Sequence, residues 1–241
     1  NLIINIFTDF ILLLSVKKII TVSRSALKSI EKNFILKFKY KNFIYNGSED
    51  LKYNNKIKKT ISSKYFLILA SYEKRKGIHI AIDAFNSFYK YNKKYHLYIC
   101  GDKYGGYYKD IKKKIKTLQC KKNIKLNNFS NNKKLLIKNC QALIMPSISY
   151  ESFGYTLIEA MSLEKVVMAS NIGGMPEIIK NGYNGFIFKS NNINEIYKLL
   201  NYFKKKEGKF ELIKKNARIT FKKLFQSYQM YKKYSKEINN L

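Results

Sequence analysis

The sequence contains little cysteine and proline and no tryptophan: its 241 residues include three Cys, two Pro and no Trp. The three cysteines, Cys100, Cys120 and Cys140, are scattered and form no C-x-x-C pair. This pattern excludes a disulfide framework and a cysteine-type zinc site, and it favours a reducing, cytoplasmic compartment. Only two His are present, which disfavours a histidine-rich metal site. No apolar run reaches the roughly 18 residues of a membrane-spanning helix. A hydrophobic content of 46% is nevertheless enough to fill a globular core.

Acidic residues are scarce beside basic ones: Lys and Arg number 47, Asp and Glu 16, and the net charge is +31. Such a charge is typical of proteins that bind nucleic acid or anionic membranes. Arginine reads bases and phosphates through its bidentate geometry, yet it occurs only as Arg24, Arg75 and Arg218, so we expect no nucleic-acid partner. Two explanations stay open. One is compositional drift in an AT-rich genome, and the other is an anionic membrane surface, near which each lysine contributes about 1 kcal/mol.

The chain begins with Asn1 and shows no basic segment followed by a cleavage site, so we expect no signal peptide. Residues 2–14 are apolar but too short to span a bilayer, and they are interpreted as a buried helix or the edge of a partner domain. The pattern predicts a strand over 17–23, a helix over 26–34 and a polar link over 49–64.

From residue 64 onward, short apolar runs alternate with longer segments of helical periodicity. The predicted strands cover 66–70, 96–100, 124–126, 142–146, 166–170 and 186–188. The predicted helices cover 78–91, 109–118, 133–139, 155–163 and 193–206, and a helical run with a kink near Phe225–Tyr228 follows residue 210. Continuous apolar strands separated by helices predict an α/β fold with a doubly wound, mostly parallel sheet and binding at the carboxyl ends of the strands.

The segment PSISYESFGYTLIEAM, residues 146–161, carries the most chemical information. It predicts a helix N-terminus at the carboxyl end of a strand, where free N–H groups suit a diphosphate. Glu151 and Glu159 flank that site, and ionised carboxylates there suit neutral sugar or ribose hydroxyls, because they only accept hydrogen bonds. A nucleotide-sugar offers both kinds of group. The structural alternative is that Glu151 caps the helix and Glu159 faces solvent.

ESFGYTLIEA resembles the E-x7-E signature of retaining glycosyltransferases of family 4, which have the two-domain GT-B architecture. Other segments resemble that family in the same order: ITVS (20–23), IYNG (44–47), LASYEKRKGIHIAIDAF (69–85), LYICGD (97–102) and NIGGMPEIIKNGYNGFIF (171–188). The resemblance covers residues 17–235. It implies a Rossmann-like nucleotide-sugar domain over 17–211, crossover helices over 212–241, and residues 1–16 as the tail of an N-terminal acceptor domain that is missing here. We therefore expect a truncated chain that holds the donor site and, without a separate acceptor half, transfers no sugar to an acceptor.

The resemblance also implies roles for individual residues. Glu151 faces the donor sugar and Lys76 neutralises phosphate; these are the implied catalytic residues. Glu159 holds the ribose hydroxyls. The other implied donor-binding residues are Ser71, Arg75, Gly101, Phe153, Gly154, Tyr155, Thr156, Gly173 and Gly174. No divalent metal and no further cofactor are expected, because cations and the helix N-terminus take the electrostatic role of a metal.

The resemblance implies transfer of a hexose from a UDP-, GDP- or ADP-sugar to a lipid-linked or polysaccharide acceptor, with retention of configuration, at a cytoplasmic membrane face. One departure is Ser71, which stands where the family usually has Arg, and Arg75 is the candidate to compensate. Two alternatives stay open: a non-catalytic basic binding module, and a degenerate remnant without transferase activity.

Overall fold

The structure is a computed structural model, and it describes residue 16 and residues 18–33, 40–52, 63–103, 106–128 and 133–239. The apolar stretch over 2–14, and with it all but residue 16 of the predicted tail, lies outside the described residues. The same holds for residues 53–62 of the predicted polar link.

Six of the eight described strands form one sheet in which every neighbouring pair is parallel. The strands are β1 (Ile19–Thr21), β2 (Lys41–Phe43), β3 (Lys64–Leu69), β4 (Tyr95–Cys100), β5 (Ile124–Asn127), β6 (Ala142–Met145), β7 (Val166–Ser170) and β8 (Phe186–Phe188). The large sheet has the order β5-β4-β3-β6-β7-β8, which is the doubly wound arrangement. The predicted fold class is confirmed.

Helices cover both faces of this sheet. The described α-helices are α1 (Arg24–Asn33), which contacts β1 and β2, α2 (Ile78–Tyr89), α3 (Gly106–Lys116), α4 (Lys133–Asn139), α5 (Tyr155–Ser162), α6 (Met175–Ile178), α7 (Ile193–Lys205), α8 (Glu211–Thr220) and α9 (Ser227–Ile238). Successive side chains of β3 point to opposite faces, as the pleat requires. Phe66 and Ile68 pack in the core under α2, α3 and α7, whereas Tyr65 and Leu67 pack in the core under α4, α5 and α8.

The first two strands lie outside the large sheet. β1 and β2 pair with each other in parallel and are connected through α1. The sequence predicts β1 and α1 but not β2. The first unit comprises the described residues 18–33 and 40–52, which precede β3. It is joined to the C-terminal part of the chain by a buried ion pair, in which Arg218 donates to both carboxylate oxygens of Asp50 at 2.5 Å. The domain boundaries implied by the resemblance stay a prediction.

The C-terminal segment bends where the sequence predicts a kink. After α8, a short π-helical turn over Phe221–Phe225 ends at Gln226, whose extended backbone separates it from α9. Phe221 and Phe225 are fully buried against α5. None of the helices in the described residues is both long and apolar enough to cross a membrane.

Candidate nucleotide-sugar site

A cavity of about 260 Å³ opens at the carboxyl ends of β3 and β6. These are the adjacent strands from which the chain winds in opposite directions, and a doubly wound sheet forms its binding crevice at that point. The cavity is lined by Leu69, Ala70, Ser71, Arg75, Lys76, Met145, Glu151, Phe153, Tyr155 and Thr156. Seven predicted site residues, distant in sequence, therefore share one cavity. Glu159 and the glycines at positions 101, 154, 173 and 174 do not line it.

An ion pair joins the two predicted catalytic residues. The Lys76 Nζ lies 2.6 Å from the Glu151 Oε2, and the two side chains are only 13% and 14% exposed. The same oxygen lies 3.7 Å from the Arg75 guanidinium and accepts a long hydrogen bond of 3.4 Å from the Ser147 hydroxyl. The alternative that Glu151 caps the following helix is therefore wrong, because α5 begins without a side-chain cap.

Backbone contacts hold the loops that carry this ion pair together. Gly77 has a φ of 64°, and a Cβ at this position would lie 1.9 Å from the Pro146 carbonyl oxygen. The N–H of Ile148 donates to the Arg75 carbonyl at 2.8 Å. Gly77 is not among the predicted site residues, although its place between Lys76 and an apolar helix is a signal for a left-handed turn.

Gly173 and Gly174 fix the loop of Glu151 from the other side. Gly173 has a φ of 58°, and its hypothetical Cβ would lie 2.0 Å from the Glu151 carbonyl oxygen. The N–H of Gly174 donates to that same oxygen at 2.9 Å. In this structure the two glycines therefore approach the backbone of Glu151, and the implied approach to the donor stays a prediction.

Gly101 also has a packing role. Its hypothetical Cβ would lie 1.8 Å from the carbonyl oxygen of Ala70, so only glycine allows the ends of β3 and β4 to run this close. Because Ala70 lines the cavity, Gly101 shapes the wall from behind. The implied position of Gly101 beside the nucleotide is not tested by this contact.

The N-terminus of α5 faces the cavity. Gly154 precedes the helix, and its carbonyl accepts the N–H groups of Leu157 and Ile158 at 3.0 and 3.3 Å. Tyr155 and Thr156, the first two helical residues, have no carbonyl within the helix to which they could donate. Phe153 is buried and anchors the turn, with its ring centroid 6.0 Å from that of Phe225. Burial, with Tyr234 and Glu159 nearby, raises the pKa of the half-exposed Tyr155.

Glu159 lies deeper on α5 and is paired with a residue that the sequence does not single out. Its Oε1 lies 2.5 Å from the Lys133 Nζ at the start of α4, and its side chain is 14% exposed. Among the described residues, Glu159 Oε2 is a buried oxygen without a hydrogen-bond partner. The alternative that Glu159 faces solvent is therefore wrong. Lys133 is one of 47 basic residues, and nothing in the sequence distinguishes it.

Ser71 and Arg75 meet at a third carboxylate. The Ser71 hydroxyl donates to Glu73, and the Arg75 Nε donates to the other carboxylate oxygen of Glu73 at 2.6 Å. These hydrogen bonds, that of Ser71 first, lower the pKa of Glu73. Arg75 therefore reaches the cavity wall from a position four residues after Ser71, although Glu73 shares its charge. The described residues contain no group of three or more His, Cys, Asp or Glu side chains that could hold a metal ion.

The family model described as glycosyl transferases group 1 matches residues 50–220 of this sequence. This chain belongs to the glycosyl transferases group 1 family. It is 29% identical over 188 residues to the uncharacterized glycosyltransferase MJ1178 of Methanocaldococcus jannaschii, a match that covers 74% of this chain. The match covers 47% of that relative, so the chain spans about half its length.

Solved glycosyltransferase structures share the fold of this family member. A glycosyltransferase from Rickettsia africae ESF-5 superposes with a TM-score of 0.83 at 21% identity, over 91% of this chain and 62% of that one. Anabaena Alr3699/HepE, solved in complex with UDP and glucose, superposes with a TM-score of 0.82 at 21% identity, over 93% of this chain and 63% of that one.

Proposed function

We propose that this chain carries the donor-binding half of a glycosyltransferase that takes a hexose from a nucleotide-sugar. The observation that carries the proposal is the open N-terminus of α5, which faces the same cavity as Lys76, Arg75 and Glu151. Backbone N–H groups and two cations suit a diphosphate, and a carboxylate beside them suits sugar hydroxyls. Anabaena HepE, which shares the fold, was solved with UDP and glucose, and this likeness supports a nucleotide-sugar ligand.

Each charged group has a distinct task in the proposed reaction. Lys76 neutralises Glu151 in the structure, and when a donor binds, the Lys76 ammonium turns to the diphosphate while Glu151 accepts hydrogen bonds from hydroxyls of the sugar. As the glycosidic bond breaks, negative charge grows on the leaving diphosphate. Lys76, Arg75 and the N–H groups of Tyr155 and Thr156 stabilise this charge, which is the task that a divalent ion performs in metal-dependent enzymes.

Retention of configuration belongs to this proposal through the E-x7-E resemblance of Glu151 and Glu159. The acceptor hydroxyl then attacks from the same face that the diphosphate leaves, and the diphosphate oxygens take up its proton. The proposed acceptor is lipid-linked or a polysaccharide, at the cytoplasmic face of a membrane. Proton NMR of the sugar released in the first turnover tests retention, because release of the opposite anomer would contradict it.

The binding step is tested by isothermal titration calorimetry with UDP-glucose, GDP-mannose and ADP-glucose. We expect wild-type protein to bind one of the three. Lys76→Met removes a charge-assisted hydrogen bond and should weaken that binding about 10- to 100-fold. Lys113→Met is the matched control, since it removes the same charge from an exposed position on α3 and should leave the affinity within about twofold. Binding of none of the three would contradict the proposal and favour a degenerate remnant.

A second cavity favours the alternative of a basic binding surface. This cavity of about 380 Å³ lies at the amino ends of β3 and β4 and is lined by Lys64, Lys93, Lys94 and Lys204 together with Glu207. The Lys64 Nζ lies 2.8 Å from the Glu207 Oε1, so Glu207 neutralises Lys64. Lys204 lies in the last turn of α7, where the helix dipole stabilises a positive charge. Because these contacts account for part of the positive charge around the second cavity, we rank binding to an anionic membrane below the donor-binding function. Sedimentation with vesicles containing phosphatidylserine, at low and high salt, tests it.

A further inference from the structure

The ion pair between Lys133 and Glu159 involves the carboxylate to which the resemblance assigns the ribose hydroxyls of the donor. Lys133 lies 2.5 Å from Glu159 Oε1, and the other carboxylate oxygen is shielded from solvent without a partner among the described residues. Neither carboxylate oxygen of Glu159 is therefore both accessible and free of a partner in the structure. A ribose hydroxyl that binds Glu159 has to displace Lys133 or share its oxygen.

The two members of this pair differ in their freedom to move. The Lys133 side chain is 39% exposed, whereas the Glu159 side chain is 14% exposed and sits on a helix whose neighbouring residues, Ile158 and Ala160, are fully buried. A partly exposed lysine loses little when it leaves such a pair, because water solvates its ammonium. Of the two side chains, Lys133 is therefore the one that can leave the pair, while the buried face of α5 holds Glu159 in place.

We infer that Lys133 is a specificity-determining residue, which competes with the donor ribose for Glu159 and thereby reduces the preference of the site for ribonucleotides. The inference rests on the proposed function, because it concerns the same donor site. The competition is electrostatic, so salt weakens the ion pair and favours the hydroxyl.

The test compares the affinities of ribonucleotides with those of analogues that lack both hydroxyls. Isothermal titration calorimetry is run with UDP, GDP and ADP, and with the 2′,3′-dideoxy form of the diphosphate that binds wild-type protein best. The measured quantity is the ratio of the two affinities. An effect of Lys133 on overall stability or charge alters both affinities alike and cancels in this ratio.

We expect Lys133→Met to raise the ratio about two- to fivefold, the range that corresponds to a partly exposed ion pair. Lys133→Arg retains the competing cation and should keep the wild-type ratio, as should the control Lys113→Met. Glu159→Gln should bring the ratio close to one. Added salt should raise the ratio of wild-type protein and leave that of Lys133→Met nearly unchanged.

The outcomes separate this inference from the function on which it rests. If wild-type protein binds none of the diphosphates, both this inference and the proposed function are refuted. If it binds and Lys133→Met leaves the ratio unchanged, the inference is overturned while the donor site stands. A lower ratio in Lys133→Met also overturns it, because Lys133 would then support the ribose contact rather than compete with it.

Discussion

Replacing Gly173 by alanine tests whether the loop after β7 sets the position of Glu151. Gly173 has a φ of 58°, a conformation that costs a residue with a Cβ about 1–2 kcal/mol. The added carbon would lie 2.0 Å from the Glu151 carbonyl oxygen. Because non-bonded carbon and oxygen atoms approach to about 3.3 Å, the Glu151 backbone has to withdraw by roughly 1.3 Å.

The size of the effect follows from these two contributions. Steric overlap in a packed region costs about 1–3 kcal/mol, so the total loss of unfolding free energy for Gly173→Ala is about 2–5 kcal/mol. For a chain of this size, that loss lowers the melting temperature by about 4–20 °C. A displacement of about 1 Å in a reacting group also lowers the rate about 100-fold, and we expect this fall in donor hydrolysis.

Gly182→Ala separates the backbone strain of a positive φ from the displacement of Glu151. Gly182 has a φ of 74°, but a Cβ there would meet no atom within 4 Å. This variant should lose only the conformational contribution of about 1–2 kcal/mol and keep wild-type donor hydrolysis. Differential scanning calorimetry and donor hydrolysis are measured on both variants. Equal melting temperatures and equal rates would refute the reasoning, because the contact with Glu151 would then have no consequence.

Three further predictions concern the contacts of the first unit. Arg218→Met leaves the buried carboxylate of Asp50 unpaired, and we expect urea denaturation to show a loss of about 3–5 kcal/mol, with a smaller loss when Asp50→Asn is added. Burial raises the pKa of Asp50, but the hydrogen bonds from Arg218 and from the Lys52 N–H, together with the charges of Arg218 and Lys222, outweigh it, so the pKa is lowered. The stability that this shift contributes is therefore present above the ordinary pKa of Asp and is lost as pH falls through the folded-state pKa. We expect the free energy of unfolding of wild-type protein to fall more steeply in acid than that of Asp50→Asn. Parallel plots of unfolding free energy against pH for the two proteins would contradict this. Glu177→Ala removes the acceptor for the Arg24 and Ser25 N–H groups at the start of α1 and should cost about 1–2 kcal/mol, seen as faster amide exchange in α1 and not in α7.

Most strands of the large sheet could be predicted because their apolar runs are continuous, and a parallel sheet covered on both faces requires such runs. The edge strand β5 is the exception, because Lys125 interrupts its apolar residues. The position of the site follows from the same pattern, since Glu151 and Lys76 lie in the connections that follow two strands identified by the pattern. β2 could not be predicted from a segment as short and polar as Lys41–Phe43. It forms because β1 is available to pair with it, which is a tertiary effect.

The sequence does not predict which residues pair with the site residues. Lys133 pairs with Glu159 because α4 packs beside α5 on the same face of the sheet, and no local pattern specifies which of many lysines will lie there. The resemblance implies that Gly173 and Gly174 contact the donor. Their close approach to the backbone of Glu151 depends on how two distant loops meet, and such a contact has no signature within either loop.

A crystal structure with bound nucleotide diphosphate tests the central claim most directly. With whichever of UDP, GDP and ADP binds tightest, the diphosphate should lie within hydrogen-bond distance of the Tyr155 and Thr156 N–H groups, and Lys76 should have turned from Glu151 to a phosphate oxygen. A diphosphate bound instead among Lys64, Lys93 and Lys204, with the pair of Lys76 and Glu151 intact, would contradict the account.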